Sequence, residues 1–247
     1  MNNRLVRILI LLSQLLIMAF VAFICVYAMV LDIDSSLMHQ YIAGVGRVVV
    51  VLLITVAYYR TSVSRMNPGN PFLIMCFLFL ALSELRIIYY FTLMTGWSLI
   101  PPRALVRTVM GAQFMAHFTL IGYGVHYQNN EHNAMIRSLL IGMAAVVFVS
   151  IIIPSAQSLN TLWCMPAPFL ILCIFAATTL VVHLILLFSE PSVLGAMRHV
   201  GTILMITGSF ISLVYGSAIV ANIVGSALFA LGGLVTMIIT LRNSVLL

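Results

Sequence analysis

Eight long apolar stretches occupy most of this 247-residue chain, and they constrain its fold more than any other feature. A membrane-spanning helix needs about 20 apolar residues, because it rises about 1.5 Å per residue through a hydrocarbon core about 30 Å thick. Short segments rich in proline, asparagine and charged residues separate the stretches. The pattern predicts an all-α, polytopic transmembrane helix bundle that forms a single membrane domain over 1–247. The predicted helices are 7–31, 41–59, 71–95, 104–126, 136–154, 163–189, 199–217 and 222–241.

Composition excludes several functional classes. With 63% hydrophobic and 6% charged residues, the chain has no room beside its eight spans for a soluble kinase, nuclease or ATPase domain. All eleven positive residues are arginine, so no lysine can form a Schiff base with retinal or pyridoxal phosphate. The arginines are scattered between spans and do not form one solvated patch, so nucleic acid is not a predicted partner despite the net charge of +6.

Arginine placement predicts the orientation. Positive residues collect in short cytoplasmic loops of membrane proteins. With a cytoplasmic N-terminus, the first outer loop carries Asp32 and Asp34, and seven arginines fall in cytoplasmic segments. We therefore predict an N-in, C-in multi-pass protein of the cell inner membrane. The cytoplasmic arginines are Arg4, Arg7, Arg60, Arg65, Arg137, Arg198 and Arg242.

Two boundaries leave alternatives open. The first stretch follows Arg4 and Arg7 and reaches Ala28, a small residue at which a signal peptide could be cleaved, leaving seven helices. Its apolar run is longer than the roughly 7–15 residues of a signal-peptide core, which favours a retained anchor helix. The interval 198–241 has no charge in its interior and is too long for one crossing, so we expect a tight turn at 215–222.

Four ionisable residues lie within predicted spans, where an unpaired charge costs several kcal/mol. At about 1.5 Å per residue, Arg107, Arg47, Arg86 and Glu84 lie roughly 5, 9, 13 and 16 Å from the outer boundary. All four therefore belong to the outer half. On an ideal helix two residues advance about 200°, so Glu84 and Arg86 are expected to point about 160° apart and not to face one neighbour.

Two interpretations of these four charges remain open. In the structural one, Glu84 neutralises one arginine, the others extend to the outer surface, and the group only locks helices together. In the functional one, three arginines against one carboxylate leave about two surplus positive charges in a pocket open to the outside, where guanidinium groups bind a small anionic ligand through paired hydrogen bonds. The ligand-binding candidates of the second interpretation are Arg47, Glu84, Arg86, Arg107 and, as neutral partners, Tyr90, Gln113 and His117.

Small residues at four-residue spacing mark the last two helices. Such faces allow close approach of helix backbones in lipid. They predict packing within the chain or, as the alternative, contact with a partner protein or a second copy. The residues concerned are Gly208, Ser212, Gly216 and Gly225.

No catalytic or cofactor motif is evident. Histidines at 117, 126, 183 and 199 allow a haem or metal between helices to be imagined, but HExxH and HxxxH spacings are missing. We therefore predict no metal and no cofactor. No nucleophile turn or phosphate-binding glycine loop is present, so catalysis is not the first expectation.

From about Gly44 onward the chain resembles the seven-helix N-terminal membrane sensor region of bacterial histidine kinases. Two stretches carry the resemblance: RTVMGAQFMAHFTLIGYGVHYQNNEHNAMIRSLLIG and AMRHVGTILMITGSFISLVYGSAIVANIVGSALFALGGLVTMIITLR. It implies reception of an extracellular or membrane-borne signal, with the last helix passing movement to a cytoplasmic or membrane signalling partner.

The function predicted from these features is that of a membrane receptor or accessory subunit in signal transduction. It binds a small, anionic ligand or a membrane partner in the lipid bilayer and acts through another protein. A transporter of a small solute or lipid headgroup is the alternative, and an integral-membrane lipid-modifying enzyme is the third possibility.

Overall fold

The computed structural model describes residues 3–31, 35–61, 70–97, 100–126, 142, 166–214 and 218–245. In these ranges the regular secondary structure consists of eight helices, and α3 and α4 together form a single span. Seven spans in the described ranges are long and apolar enough to cross a membrane, which confirms the all-α polytopic bundle. The helices are α1 Asn3–Val30, α2 Ser35–Thr61, α3 Asn70–Ser83, α4 Arg86–Thr95, α5 Pro102–His126, α6 Pro166–Ser189, α7 Val193–Val214 and α8 Ile219–Val245.

Helices α5 and α6 run parallel. Phe114 packs on Phe175, His117 contacts Thr179 and Tyr123 stacks on His183, so positions along the two helices rise together. The end of α5 and the beginning of α6 therefore lie at opposite ends of the bundle. The predicted helix 136–154 would need these two helix ends to lie on opposite sides of the membrane, because it crosses the membrane once between them. The predicted helix 136–154 lies outside the described residues except for Gly142, so it stays a prediction.

The buried side chains form two apolar clusters stacked along the bundle. One cluster surrounds Tyr41, Ile88 and Phe114, and the other surrounds Ile54, Phe72 and Tyr123. The α3–α4 span and α5 are the most buried spans, whereas α1 and α6 expose most of their apolar side chains. Exposed apolar side chains on spanning helices suit contact with lipid, as the composition predicted.

Capping residues define two helix ends. The Ser192 hydroxyl accepts a hydrogen bond from the Gly195 backbone N–H at 3.0 Å, so α7 begins at Val193, six residues before the predicted start. At the end of α4, Gly96 has a φ of 70° and its N–H donates to the Thr92 carbonyl. That left-handed conformation favours glycine.

Helices α7 and α8 are antiparallel and pack closely through glycine. A Cβ atom on Gly208 would collide with the Gly225 carbonyl and the Phe229 amide, so the two backbones are in contact there. Gly201 and Gly232 make a similar contact one heptad away. These small residues therefore pack within the chain, and Gly208, Ser212 and Gly225 cannot also be the surface that meets a partner. Gly216 lies outside the described residues.

Candidate functional site

Three charged side chains meet inside the bundle, and we call Arg47, Glu84 and Arg86 the ionic cluster. Their exposed fractions are 3%, 4% and 5%. Arg47 is carried by α2, whereas Glu84 and Arg86 lie where the third span passes from α3 to α4. Each charge must find its partners within the protein, because the surrounding helices exclude water and lipid alike.

Arg47 is almost fully hydrogen-bonded. Its Nε donates to Glu84 Oε1 at 2.7 Å and its Nη2 to Glu84 Oε2 at 2.8 Å, which is a two-point guanidinium–carboxylate pair. Its Nη1 donates to Ser226 Oγ at 2.6 Å and to Asn222 Oδ1 at 3.3 Å. Four of the five N–H donors of Arg47 are therefore engaged, and they join α2 to the α3–α4 span and to α8.

A local change of helix type brings Glu84 and Arg86 together. The Glu84 and Leu85 amides donate to carbonyls three residues back, at Ala81 and Leu82. The Ile87 amide does the same to Glu84. This is 3₁₀ winding, which turns about 120° per residue and narrows the angle between Glu84 and Arg86 to about 120°. Arg86 Nε lies 3.4 Å from Glu84 Oε2, a direct contact that the ideal-helix angle did not predict, although Glu84 faces α2 and Arg86 faces α7.

Arg86 is less completely paired than Arg47. Its Nη1 donates to the Ser212 carbonyl of α7 at 2.6 Å, and its Nε faces Glu84. Glu84 already accepts two shorter bonds from Arg47. Among the described residues, the Nη2 group of Arg86 has no hydrogen-bond acceptor. Within the described residues Arg86 therefore makes fewer hydrogen bonds than Arg47, although its exposed fraction is only 5%.

Three further residues complete the cluster, and the sequence interpretation did not include them. Gly44, one turn from Arg47, leaves room for Glu84, because a Cβ there would collide with Ile87 and lie 3.3 Å from Glu84 Oε2. Asn222 and Ser226, one turn apart on α8, accept hydrogen bonds from Arg47. The sequence signal for Asn222 is an amide inside an otherwise uncharged apolar run, and the same residue also ends the turn predicted at 215–222.

The ionic cluster lies toward the end of the bundle that holds the α7–α8 connection and the beginning of α2. The Nδ2 of Asn222 donates to the His39 carbonyl at 3.3 Å, so the first turns of α8 and α2 are adjacent. Arg86 reaches Ser212 in the last turn of α7. In the predicted orientation this is the outer end. The orientation itself stays a prediction.

Arg107 lies apart from the ionic cluster. It is exposed on α5, as is Arg103. The buried charges described are therefore two guanidinium groups and one carboxylate, which leaves one surplus positive charge and not two. The position of Arg107 follows from the rotation of α5 about its own axis, which sequence spacing does not determine.

The three neutral candidates of the sequence interpretation differ in how near they lie to Arg86. Tyr90 is partly buried on α4, one turn after Arg86. Gln113 Nε2 donates to Ser209 Oγ at 3.3 Å, three residues before the Ser212 carbonyl that Arg86 uses. His117 contacts Thr179 of α6 through its Nδ1 at 3.3 Å. Tyr90 and Gln113 thus border the Arg86 side of the cluster, whereas His117 belongs to the α5–α6 contact.

Comparison with known proteins identifies no family for this chain. No family model matches it, and neither the curated proteins nor the solved structures contain a match. The resemblance to histidine-kinase sensor regions therefore stays a prediction. What the helices themselves establish is an integral membrane protein with a multi-pass bundle and a buried, incompletely paired ionic cluster.

Proposed function

We propose that this chain binds a small anion at Arg86 and acts as a sensory or accessory subunit of the membrane. The observation that carries the proposal is the imbalance of the ionic cluster. Two buried guanidinium groups face one carboxylate, and Arg47 takes most of that carboxylate. An unpaired buried charge costs several kcal/mol, so a bound anion at Arg86 would relieve that cost.

The ligand class follows from the donors that remain. A guanidinium group binds carboxylate or phosphate through two parallel N–H bonds. The Nη2 group and the second Nη1 hydrogen of Arg86 supply such donors, and Gln113 and Tyr90 border the same side. Ligand binding there would act on α4 and α7 together, because Arg86 already joins them through the Ser212 carbonyl. Movement of α7 against α8 would carry the signal to a partner protein.

The test measures thermal unfolding of the purified protein in detergent with inorganic phosphate, acetate or succinate added. A ligand at 100 times its dissociation constant stabilises the folded state by about 2.7 kcal/mol. We expect at least one anion to stabilise the wild type, and Arg86→Gln to lose that stabilisation while remaining folded. Arg107→Gln is the matched control, since it removes an exposed arginine of α5, the helix that follows α4 in the chain.

Three results would reject the anion site. If none of the three anions stabilises the wild type, the cluster holds no ligand of this class. If Arg86→Gln unfolds without ligand while Arg107→Gln does not, the arginine is part of the scaffold that joins α4 to α7. Loss of stabilisation in both variants equally would indicate general ionic effects.

We also expect the end of the bundle that holds the ionic cluster to face the outside of the cell. Cysteine labelling tests this expectation separately. Trp97 is exposed between α4 and α5, and Pro191 is exposed between α6 and α7 at the opposite end. In the N-in orientation, Trp97→Cys should react with an impermeant reagent in intact cells and Pro191→Cys should not. The reverse pattern would place the ionic cluster in the cytoplasmic half.

One observation favours a transporter as the second candidate. The third span changes to 3₁₀ winding at Glu84, next to the buried charges. Discontinuous helices often bind substrates in transporters, and 3₁₀ segments within helices often mark hinges. Anion flux into proteoliposomes that is lost in Arg86→Gln would favour transport over sensing.

A further inference from the structure

Two histidines on neighbouring helices form a direct contact, and we call His183 of α6 and His199 of α7 the histidine pair. Their Nδ1 atoms are 3.2 Å apart, and both side chains are fully buried. Two imidazole nitrogens at this distance share a hydrogen bond only if one carries a proton and the other does not. In the neutral pair the rings are therefore opposite tautomers. The donor ring is protonated at Nδ1 and bare at Nε2, while the acceptor ring is protonated at Nε2.

We propose that the histidine pair is a binding site for a single proton. The added proton leaves a hydronium ion of the solvent, which becomes water, and forms an N–H bond at the bare Nε2 of the donor ring, while the N–H bonds already present in the pair stay intact. The product is an imidazolium that still donates its Nδ1–H to the neutral partner, and a hydrogen bond from a charged donor is the stronger one. A second proton would have to enter at the acceptor's Nδ1, where two N–H groups would face each other at 3.2 Å. The pair therefore accepts one proton and rejects a second.

The aromatic neighbour of the pair suits a positive charge. The Tyr123 ring of α5 stacks on His183, with ring centroids 6.1 Å apart and an angle of 18° between the planes. It also lies against His199 at 6.5 Å and 45°. The face of an aromatic ring carries negative electrostatic potential and attracts a cation placed over it. The centre of an imidazolium at His183 would lie 6.1 Å from the centre of that ring.

Charged and titratable groups surround the histidine pair on α2, α5, α7 and the connection between α6 and α7. Arg198 of α7 and Glu190 of the α6–α7 connection act electrostatically on His199 and have opposite signs. Tyr58 of α2 interacts with Tyr123 of α5. The Ser192 hydroxyl, which caps α7, also donates to Glu190 Oε1 at 2.9 Å and so holds that carboxylate in place. Arg198 also interacts with the Tyr123 side chain, and the Leu120 backbone forms a hydrogen bond with His183.

The proton site is separate from the anion site. The histidine pair lies toward the α6–α7 connection, whereas the ionic cluster lies toward the α7–α8 connection at the other end of α7. The proposal does not depend on anion binding at Arg86. It gives the protein a response to proton concentration at the end that the predicted orientation makes cytoplasmic.

The test is a pH titration of the full-length wild type in detergent, observed by nuclear magnetic resonance with ¹⁵N-labelled histidine. We expect a scalar coupling between the two Nδ1 atoms across the hydrogen bond at both ends of the titration. One Nε2 signal should move from the position of a bare nitrogen to that of a protonated one, in a single step. Absence of the coupling, uptake of two protons, or no uptake before the protein unfolds would each overturn the proposal.

Two variants assign the signals and sharpen the result. His183→Asn replaces the Nδ1 position with an amide that can still hydrogen-bond to His199, so it should remove the coupling and the one-proton step. His39→Asn, at the end of the bundle near the ionic cluster, should remove one other histidine signal and leave the step unchanged. A one-proton step that persists in His183→Asn would assign the proton to another residue and reject the pair.

Discussion

The two ends of this bundle hold their buried polar groups in opposite ways. At one end the ionic cluster of Arg47, Glu84 and Arg86 joins α2, the α3–α4 span, α7 and α8 through charged groups. At the other end the histidine pair joins α6 and α7 through two rings that need no charge at all. Helix α7 contributes to both.

The difference lies in what happens when one partner is lost. A buried charge that loses its counter-charge keeps a desolvation cost that nothing offsets, so removal of one member costs several kcal/mol. A neutral imidazole that loses its hydrogen bond costs far less, because an unsatisfied neutral group costs about 1–3 kcal/mol. The charged end therefore favours stability and anion recognition, and the neutral end favours reversible proton binding.

The largest effect is expected at the only carboxylate of the ionic cluster. Glu84→Gln leaves Arg47 and Arg86 buried without a counter-charge, so we expect the free energy of unfolding to fall by about 3–5 kcal/mol. Thermal or denaturant unfolding in detergent measures it. Anions should stabilise this variant more than the wild type, because the competing carboxylate is gone. A loss below 1 kcal/mol would remove the proposed contrast between the two ends.

The next effect concerns the glycine contact that lies between the two ends. Gly208→Ala places a methyl group against the Gly225 carbonyl and the Phe229 amide, so α7 and α8 must separate. Overpacking of this kind costs about 1–3 kcal/mol. Gly46→Ala on α2, where a Cβ meets nothing within 4 Å, is the matched control and should change little. Equal effects of the two substitutions would contradict the close α7–α8 contact.

A smaller effect is expected at the neutral end. His183→Asn should lower the free energy of unfolding by about 1–2 kcal/mol near neutral pH, because the amide replaces part of the lost hydrogen bond. The same unfolding assay used for Glu84→Gln gives a direct comparison. If His183→Asn costs as much as Glu84→Gln, the histidine pair carries a charge in the resting protein and the contrast fails.

The smallest effect is expected at Arg107. Its side chain is exposed on α5, so Arg107→Gln should change the free energy of unfolding by no more than about 0.5 kcal/mol. The measurement also tests the reassignment of this residue away from the ionic cluster. A loss of several kcal/mol would return Arg107 to a buried, paired position and raise the surplus charge of the site to two.

Part of the candidate site was predictable. Arg47, Glu84 and Arg86 were named because charged side chains inside apolar spans are rare and expensive. Their mutual contact was not predicted, since an ideal helix was assumed at Glu84 where the backbone is wound as 3₁₀. The histidine pair was also missed, because its members belong to different helices and no short motif joins them.

The sequence by itself determined that this protein is a helical membrane bundle, because the length and apolar content of each span leave no other way to satisfy its backbone in lipid. It also determined which side chains would be costly there. Only the tertiary structure decided which of them meet. The rotation of each helix about its axis places Arg107 outside and Arg86 inside, and the parallel arrangement of α5 and α6 brings Tyr123 to His183. Those choices depend on packing between helices far apart in the chain, which local spacing does not encode.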